Sequence, residues 1–147
     1  EGENKLTTQQ VYESINDYVH QGGIIYVGTD SMLRNDYCKF VSVIAIHSNE
    51  MKIANYFFKK KSLPANQYQA LQNKIFEEVD CSIEIARELS NNFPKAKIEV
   101  HVDVGKSNRS KTKMYVEMLK GWVTGLGFGF KIKPHSWASY VADWHSK

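Results

Sequence analysis

The chain has little cysteine and no long apolar run. Its 147 residues include 2 cysteines, and Cys38 and Cys81 stand at no CxxC or Cys/His spacing, so a zinc site is not indicated. Both fall in apolar segments, which is typical of reduced, buried thiols in an intracellular protein. No stretch approaches the roughly 18 apolar residues of a membrane helix, and no signal peptide is visible. These absences predict a soluble, cytoplasmic protein.

Internal repeats, low-complexity segments and linkers are also missing, and no Ser/His/Asp or Cys/His pairing suggests a covalent nucleophile. The composition is 42% hydrophobic and 12% aromatic, which argues against disorder of the whole chain. A chain of this length can bury one sizeable core. We therefore expect a single domain over residues 1–147, with residues 1–6 as a flexible tail.

The net charge of +3 is only mildly basic, and its distribution says more than the sum. "KKK" (59–61) and "KSNRSKTK" (106–113) together hold seven of the 19 lysines and arginines. A charge run is usually a solvated edge or loop, and the alternative is a patch that faces phosphates. The sequence alone leaves both interpretations open.

The spacing of apolar residues predicts the order α, βββ, α, β, α, β, α. Short turns between the first three strands favour an antiparallel meander, and helical crossovers make the later strands parallel to the first. The prediction is an α/β fold with a five-stranded mixed sheet flanked by helices. The strands are expected at 24–30, 37–47, 51–61, 97–105 and 130–134, and the helices at 7–22, 66–91, from Ser107 or Ser110 to about Trp122, and 135–147.

Two acids stand where apolar strands end. Asp30 closes the run "IIYVGTD", and Asp103 lies among valines in "VHVDVG". Strands one and four are expected to be neighbours, so both carboxylates would lie side by side at the carboxyl ends, where α/β sheets place their sites. Two buried carboxylates repel each other, and a divalent cation such as Mg²⁺ removes that repulsion.

The long helix and the terminal helix are expected to add one acid each. Glu78 falls on the helix side that carries Leu71, Ile75 and Ser82, which is turned toward the sheet. Asp143, after Val141 and Ala142, is either an inward acid of a packed helix or an ordinary exposed one. The acids expected on the solvated side of the long helix, with one amide, are Glu77, Asp80, Glu84, Glu88 and Asn91.

Several motifs resemble the YkuK-like branch of the ribonuclease H-like superfamily. They are "IYVGTDS", "EVDCS", "HVDVG", "GWVTGLGF" and "KPHSWASYVAD", and the likeness runs from about residue 10 to the end. One departure is Met32, where many relatives carry Gln. The resemblance implies a ribonuclease H-like fold and a metal-dependent nuclease. It implies two Mg²⁺ (or Mn²⁺) ions held by Asp30, Glu78, Asp103 and Asp143.

The expected partner is nucleic acid, cut by two-metal hydrolysis of a phosphodiester bond in RNA, an RNA/DNA hybrid or DNA. His101 shares a strand face with Asp103 and is either a proton shuttle or a packed, hydrogen-bonded histidine. Trp122 is either a base-stacking or a core residue. The basic residues expected to contact phosphates are Lys106, Arg109, Lys111, Lys113 and Lys133.

Two other functions compete with a nuclease. The first is a nucleic-acid-binding module that keeps the fold without cutting. The second is a structural domain in which the acids cap loops and helices. Composition does not decide between RNA and DNA, between endo- and exonuclease action, or between monomer and dimer.

Overall fold

A computed structural model of the chain describes residues 7–20, 22–47, 53–104 and 110–132. The helices are α1 (Thr8–His20), α2 (Leu71–Asn92) and α3 (Ser110–Gly125). The strands are β1 (Ile24–Leu33), β2 (Tyr37–His47), β3 (Ile53–Pro64), β4 (Ile98–His101) and β5 (Gly129–Lys131). The predicted terminal helix, residues 135–147, lies outside the described residues.

The five strands form one mixed sheet in the order β3-β2-β1-β4-β5. β1 pairs with β2, and β2 with β3, in antiparallel fashion. β4 runs parallel to β1, and β5 runs parallel to β4. The predicted α/β fold with a five-stranded mixed sheet is therefore confirmed, and β1 and β4 are central neighbours.

The two faces of β1 meet different surroundings. Ile25 and Val27 are fully buried and belong to the main core with Val79 of α2. Thr29 continues the same face, and its Oγ1 lies 2.8 Å from Ser42 Oγ and 2.7 Å from Ser82 Oγ. Thr29 therefore faces the packed side of the sheet. Because side chains alternate along a strand, Tyr26, Gly28 and Asp30 lie on the opposite face.

The first helix begins at a side-chain cap. The backbone N–H of Gln10 donates to Thr7 Oγ1 at 3.1 Å, and the N–H of Thr7 donates to Gln10 Oε1 at 2.9 Å. This reciprocal pair is a capping box, in which two backbone donors that lack a helical partner are satisfied. Thr7 is therefore the residue that caps α1.

The chain between β3 and α2 differs from the sequence prediction. A short 3-10 helix occupies Ala65–Gln67, and α2 begins at Leu71 instead of residue 66. Tyr68 is buried against Phe40, with ring centroids 5.1 Å apart, so this segment is a packed turn. Leu71, predicted on the apolar stripe, is 62% exposed because it stands at the first position of the helix.

Both cysteines are free and buried, as predicted. Cys38 packs with Phe40, Tyr68 and Cys81 in a small cluster on the α2 side of β2. Among the described helices, none combines the length and the apolar character needed to span a membrane.

Candidate metal centre

Asp30 and Asp103 lie at the carboxyl ends of neighbouring parallel strands. The β1–β4 register ends at the pair Gly28–His101, and Asp30 and Asp103 each follow this last pair by two residues. Asp30 is 7% exposed, and the Oδ1 atom of Asp103 is inaccessible to solvent. Gly28 shares the face of Asp30 and adds no side chain beside it. The register confirms that β1 and β4 are neighbouring parallel strands, and the pairing of the two acids stays a prediction.

Glu78 reaches the same end of the sheet from α2. It is 7% exposed, and Ser31 donates its hydroxyl hydrogen to Glu78 Oε2 over 2.5 Å. Ser31 follows Asp30 directly on β1, so this bond fixes the Glu78 carboxyl beside the strand end. The prediction that Glu78 lies on the buried side of α2 agrees with the structure.

The surroundings of Glu78 disfavour its charged form. The pKa of Glu78 is raised from 4.5 to about 8, mainly by burial and in addition by the negative charges of Asp30 and Asp103. The hydrogen bond from Ser31 and the charge of Lys74 act in the opposite direction and do not cancel the effect. Three acids are thus electrostatically coupled at one end of the sheet, and positive charge there would relieve their repulsion.

The donor set has the chemistry of a hard-cation site, because carboxylate oxygens are the ligands that Mg²⁺ prefers. Within the described residues, no group of three or more His, Cys, Asp or Glu side chains is arranged to hold a metal ion. Asp143, the fourth predicted ligand, lies outside the described residues. The predicted phosphate contacts are not described either. Lys106, Arg109 and Lys133 lie outside the described residues, and so do the side chains of Lys111 and Lys113.

Glu77 was expected on the solvated side of α2, and that prediction is wrong. Its side chain is only 20% exposed and lies 3.4 Å from Lys61 Nζ. Tyr68 and Cys81 also donate to it, at 3.2 and 3.7 Å. The prediction failed because Lys61 and Tyr68 come from the β3–α2 segment, which a helical wheel does not include. The other members of that group, Asp80, Glu84, Glu88 and Asn91, are exposed as predicted.

His101 is buried beneath the face that carries Asp30. It is 1% exposed, its ring lies 5.1 Å from the ring of Tyr26, and its Nε2 lies 3.2 Å from Glu99 Oε1. The hydrogen bond from His101 is the main reason that the pKa of Glu99 is lowered. Of the two interpretations of His101, the packed, hydrogen-bonded one agrees with these contacts.

The structure adds residues that the sequence did not single out. Ser31 and Lys74 act directly on Glu78. An open cleft of about 550 Å³ beyond the end of β1 is lined by Leu33, Arg34, Asn35 and Gln69. The closeness of Arg34 and Asn35 to Gln69 depends on tertiary packing, so the sequence alone does not reveal this cleft. Trp122 is 38% exposed, so the core interpretation of this tryptophan is wrong.

A family model described as Ribonuclease H-like matches residues 7–147. The chain belongs to this ribonuclease H-like family. It is also 26% identical over 157 residues to the uncharacterized protein YkuK of Bacillus subtilis (strain 168), an alignment that covers 94% of this chain and 89% of that protein. The predicted resemblance is therefore confirmed, and the name of this relative assigns no activity.

Two solved structures resemble the chain more distantly. RNase H1 of the halophilic archaeon Halobacterium salinarum NRC-1 is 14% identical, with a TM-score of 0.40 over 78% of this chain and 88% of that one. The protease-reverse transcriptase of prototype foamy virus is 11% identical, with a TM-score of 0.44 over 84% of this chain. The match spans only 20% of the viral chain.

Proposed function

We propose that this protein is a divalent-metal-dependent nuclease that hydrolyses phosphodiester bonds of RNA, an RNA/DNA hybrid or DNA. The observation that carries the proposal is the burial of Glu78 and its electrostatic coupling to Asp30 and Asp103. Carboxylates held together in a buried place need positive charge, and phosphate chemistry needs the same cation. Membership of the ribonuclease H-like family supports this proposal.

In this proposal Asp30 and Asp103 hold Mg²⁺ (or Mn²⁺), with Glu78 and Asp143 completing the ligand set for two ions. When bound, the cations supply an activated water and stabilise the leaving oxygen. Ser31 holds the Glu78 carboxyl in place, and Lys74 reduces the local excess of negative charge. Glu78 is protonated in the metal-free site below about pH 8, so it gives up a proton when a cation binds.

The nucleic acid is proposed to approach along the open end of β1. Arg34, Asn35 and Gln69 line the cleft there and offer donors of the type that contact phosphates and sugars. The basic segment 106–113 and Lys133 follow the predicted site strands in sequence and stay proposed phosphate contacts. A cytoplasmic location and a single domain over residues 1–147 also stay predictions.

The test is cleavage of labelled single-stranded RNA, hybrid and DNA with Mg²⁺, Mn²⁺ or EDTA. We expect cutting that requires the cation and is lost in Asp30→Asn and Asp103→Asn. Glu84→Gln, on the exposed side of α2, is the matched control and keeps activity. Cutting that persists in both aspartate variants contradicts the site. Retained nucleic-acid binding without cleavage in the wild type supports the alternative of a binding module.

A further inference from the structure

Helix α3 has an apolar face that no other described part of the chain covers. Leu119 and Val123 are buried and turn one side of the helix toward the core. Met114, Met118 and Trp122 lie on the other side and are 63%, 53% and 38% exposed. Exposed apolar side chains grouped on one helix face mark an interaction surface, whereas isolated ones do not.

Two glycines continue the same face. Residues 114, 118, 121 and 125 are separated by four, three and four positions, the spacing of a helix–helix seam. A Cβ atom on Gly121 or Gly125 would meet nothing within 4 Å, so internal packing does not require glycine there. Neither has a positive φ, and glycine inside a helix costs stability relative to alanine. Gly121 therefore leaves an open notch in the outer face at a cost that nothing within the described chain explains.

This face is complementary to itself. It has two methionines four residues apart in its first half and two glycines four residues apart in its second half. A second copy of α3, running antiparallel across a two-fold axis, brings Met118 over the partner's Gly121 and Met114 over the partner's Gly125 at the same time. A two-fold interface requires such pairing of one surface with itself.

The charges beside this seam fit the same arrangement. Glu117 and Lys120 are exposed and lie on the same flank of the seam. Within the described part of the chain, neither takes part in an ion pair. In an antiparallel pair each flank faces its own copy, so Glu117 meets the partner's Lys120, and the pair occurs twice. Trp122 lies on the other flank, within reach of the partner's Met118.

We propose that the protein forms a two-fold symmetric dimer through α3, which packs antiparallel against α3 of a second copy. Met114 and Met118 of each copy pack over Gly125 and Gly121 of the partner. The ion pairs between Glu117 and Lys120 favour the antiparallel orientation of the two helices. This assignment does not depend on the nuclease activity, because the seam lies on the side of α3 that faces away from the sheet.

The test is sedimentation equilibrium of the full chain over a range of concentrations. We expect a dimer for the wild type and for Glu84→Lys, a charge reversal on an exposed side of α2. Gly121→Leu fills the notch and improves helix propensity, so it keeps the fold and weakens the dimer by about tenfold or more. Glu117→Lys weakens the dimer through repulsion, and adding Lys120→Glu restores it because the pair is only exchanged.

Cross-linking defines the orientation. We expect a disulfide when chains carrying Met118→Cys are mixed with chains carrying Gly121→Cys, and little when either chain is alone. A wild type that is monomeric at every soluble concentration overturns the proposal. So does a dimer that survives both Gly121→Leu and Glu117→Lys. If the wild type is monomeric and these variants lose binding to labelled RNA or DNA, the face belongs to nucleic acid instead.

Discussion

Two consecutive glutamates on α2 occupy opposite electrostatic environments. Glu77 lies 3.4 Å from the Lys61 ammonium group, and Tyr68 and Cys81 donate hydrogen bonds to it. Glu78 receives one hydrogen bond from Ser31, and the negative charges of Asp30 and Asp103 outweigh the positive charge of Lys74. Glu78 is also the more deeply buried of the two, and burial is the largest cause of its raised pKa. Glu77 therefore has a close positive partner inside the fold, whereas the charged form of Glu78 needs additional positive charge from outside.

The largest expected difference between the two positions is in catalysis. We expect Glu78→Gln to lower the cation-dependent cleavage rate about a hundredfold to a thousandfold, since the bound ions supply several kcal/mol. Glu77→Gln should stay within a few-fold of the wild type. The measurement is the single-turnover cleavage rate with Mg²⁺ for both variants. An equal loss of cleavage rate in both variants would contradict the proposal that Glu78 binds the cation and Glu77 does not.

Cation binding should separate the positions next most strongly. We expect saturating Mg²⁺ to raise the free energy of unfolding by about 2.7 kcal/mol when the ion is at 100 times its Kd. The gain should be lost with EDTA and in Glu78→Gln, and kept in Glu77→Gln. Thermal denaturation with and without the ion measures it. A metal-free protein that is already as stable as the metal-loaded one contradicts the site.

The metal-free protein should also show a pH dependence that comes from Glu78. Native Glu78 keeps its proton up to about pH 8, whereas the unfolded chain releases it near pH 4.5. The native state therefore binds more protons in this interval, and stability falls as pH rises through it. Urea unfolding at several pH values in EDTA should show this slope in the wild type and in Glu77→Gln. Glu78→Gln should flatten it, and an unchanged slope there would assign the effect to another group.

Removing the internal partner of Lys61 should have a smaller effect. We expect Glu77→Gln to lower the free energy of unfolding by about 1 kcal/mol, because hydrogen bonds from Lys61 and Tyr68 are weakened. Glu84→Gln is the control, because Glu84 is exposed on the same helix. This substitution should leave the free energy of unfolding unchanged. The measurement is urea unfolding of the wild type and both variants at the same pH. A neutral Glu77→Gln would show that this cluster adds no net stability.

The sequence predicted the architecture better than the details of the site. Alternation and short turns were enough for β2, whose bounds were predicted without error, and for the parallel placement of β4 beside β1. Asp30 and Asp103 could be found because acids at the ends of apolar strands stand out in the sequence. Glu77 could not be assigned, because its partners Lys61 and Tyr68 come from a separate segment. The exposed Trp122 escaped prediction because composition does not say which side of a helix meets the core.

Glu99 is a third carboxyl in a different environment, and its substitution should have the smallest effect on stability. It lies on the same sheet face as Asp30, yet His101 donates to it and lowers its pKa. The lowered pKa stabilises the native state at pH values above 4.5, the pKa in the unfolded chain. This stabilisation is lost as the pH falls through the lower pKa of the native state. We therefore expect Glu99→Gln to cost under about 1 kcal/mol near neutral pH, because a partly exposed ion pair contributes little. It should also weaken the fall of the free energy of unfolding at acidic pH, whereas Glu78→Gln changes the slope at higher pH. A fall at acidic pH identical to that of the wild type would show that His101 does not act as the partner of Glu99.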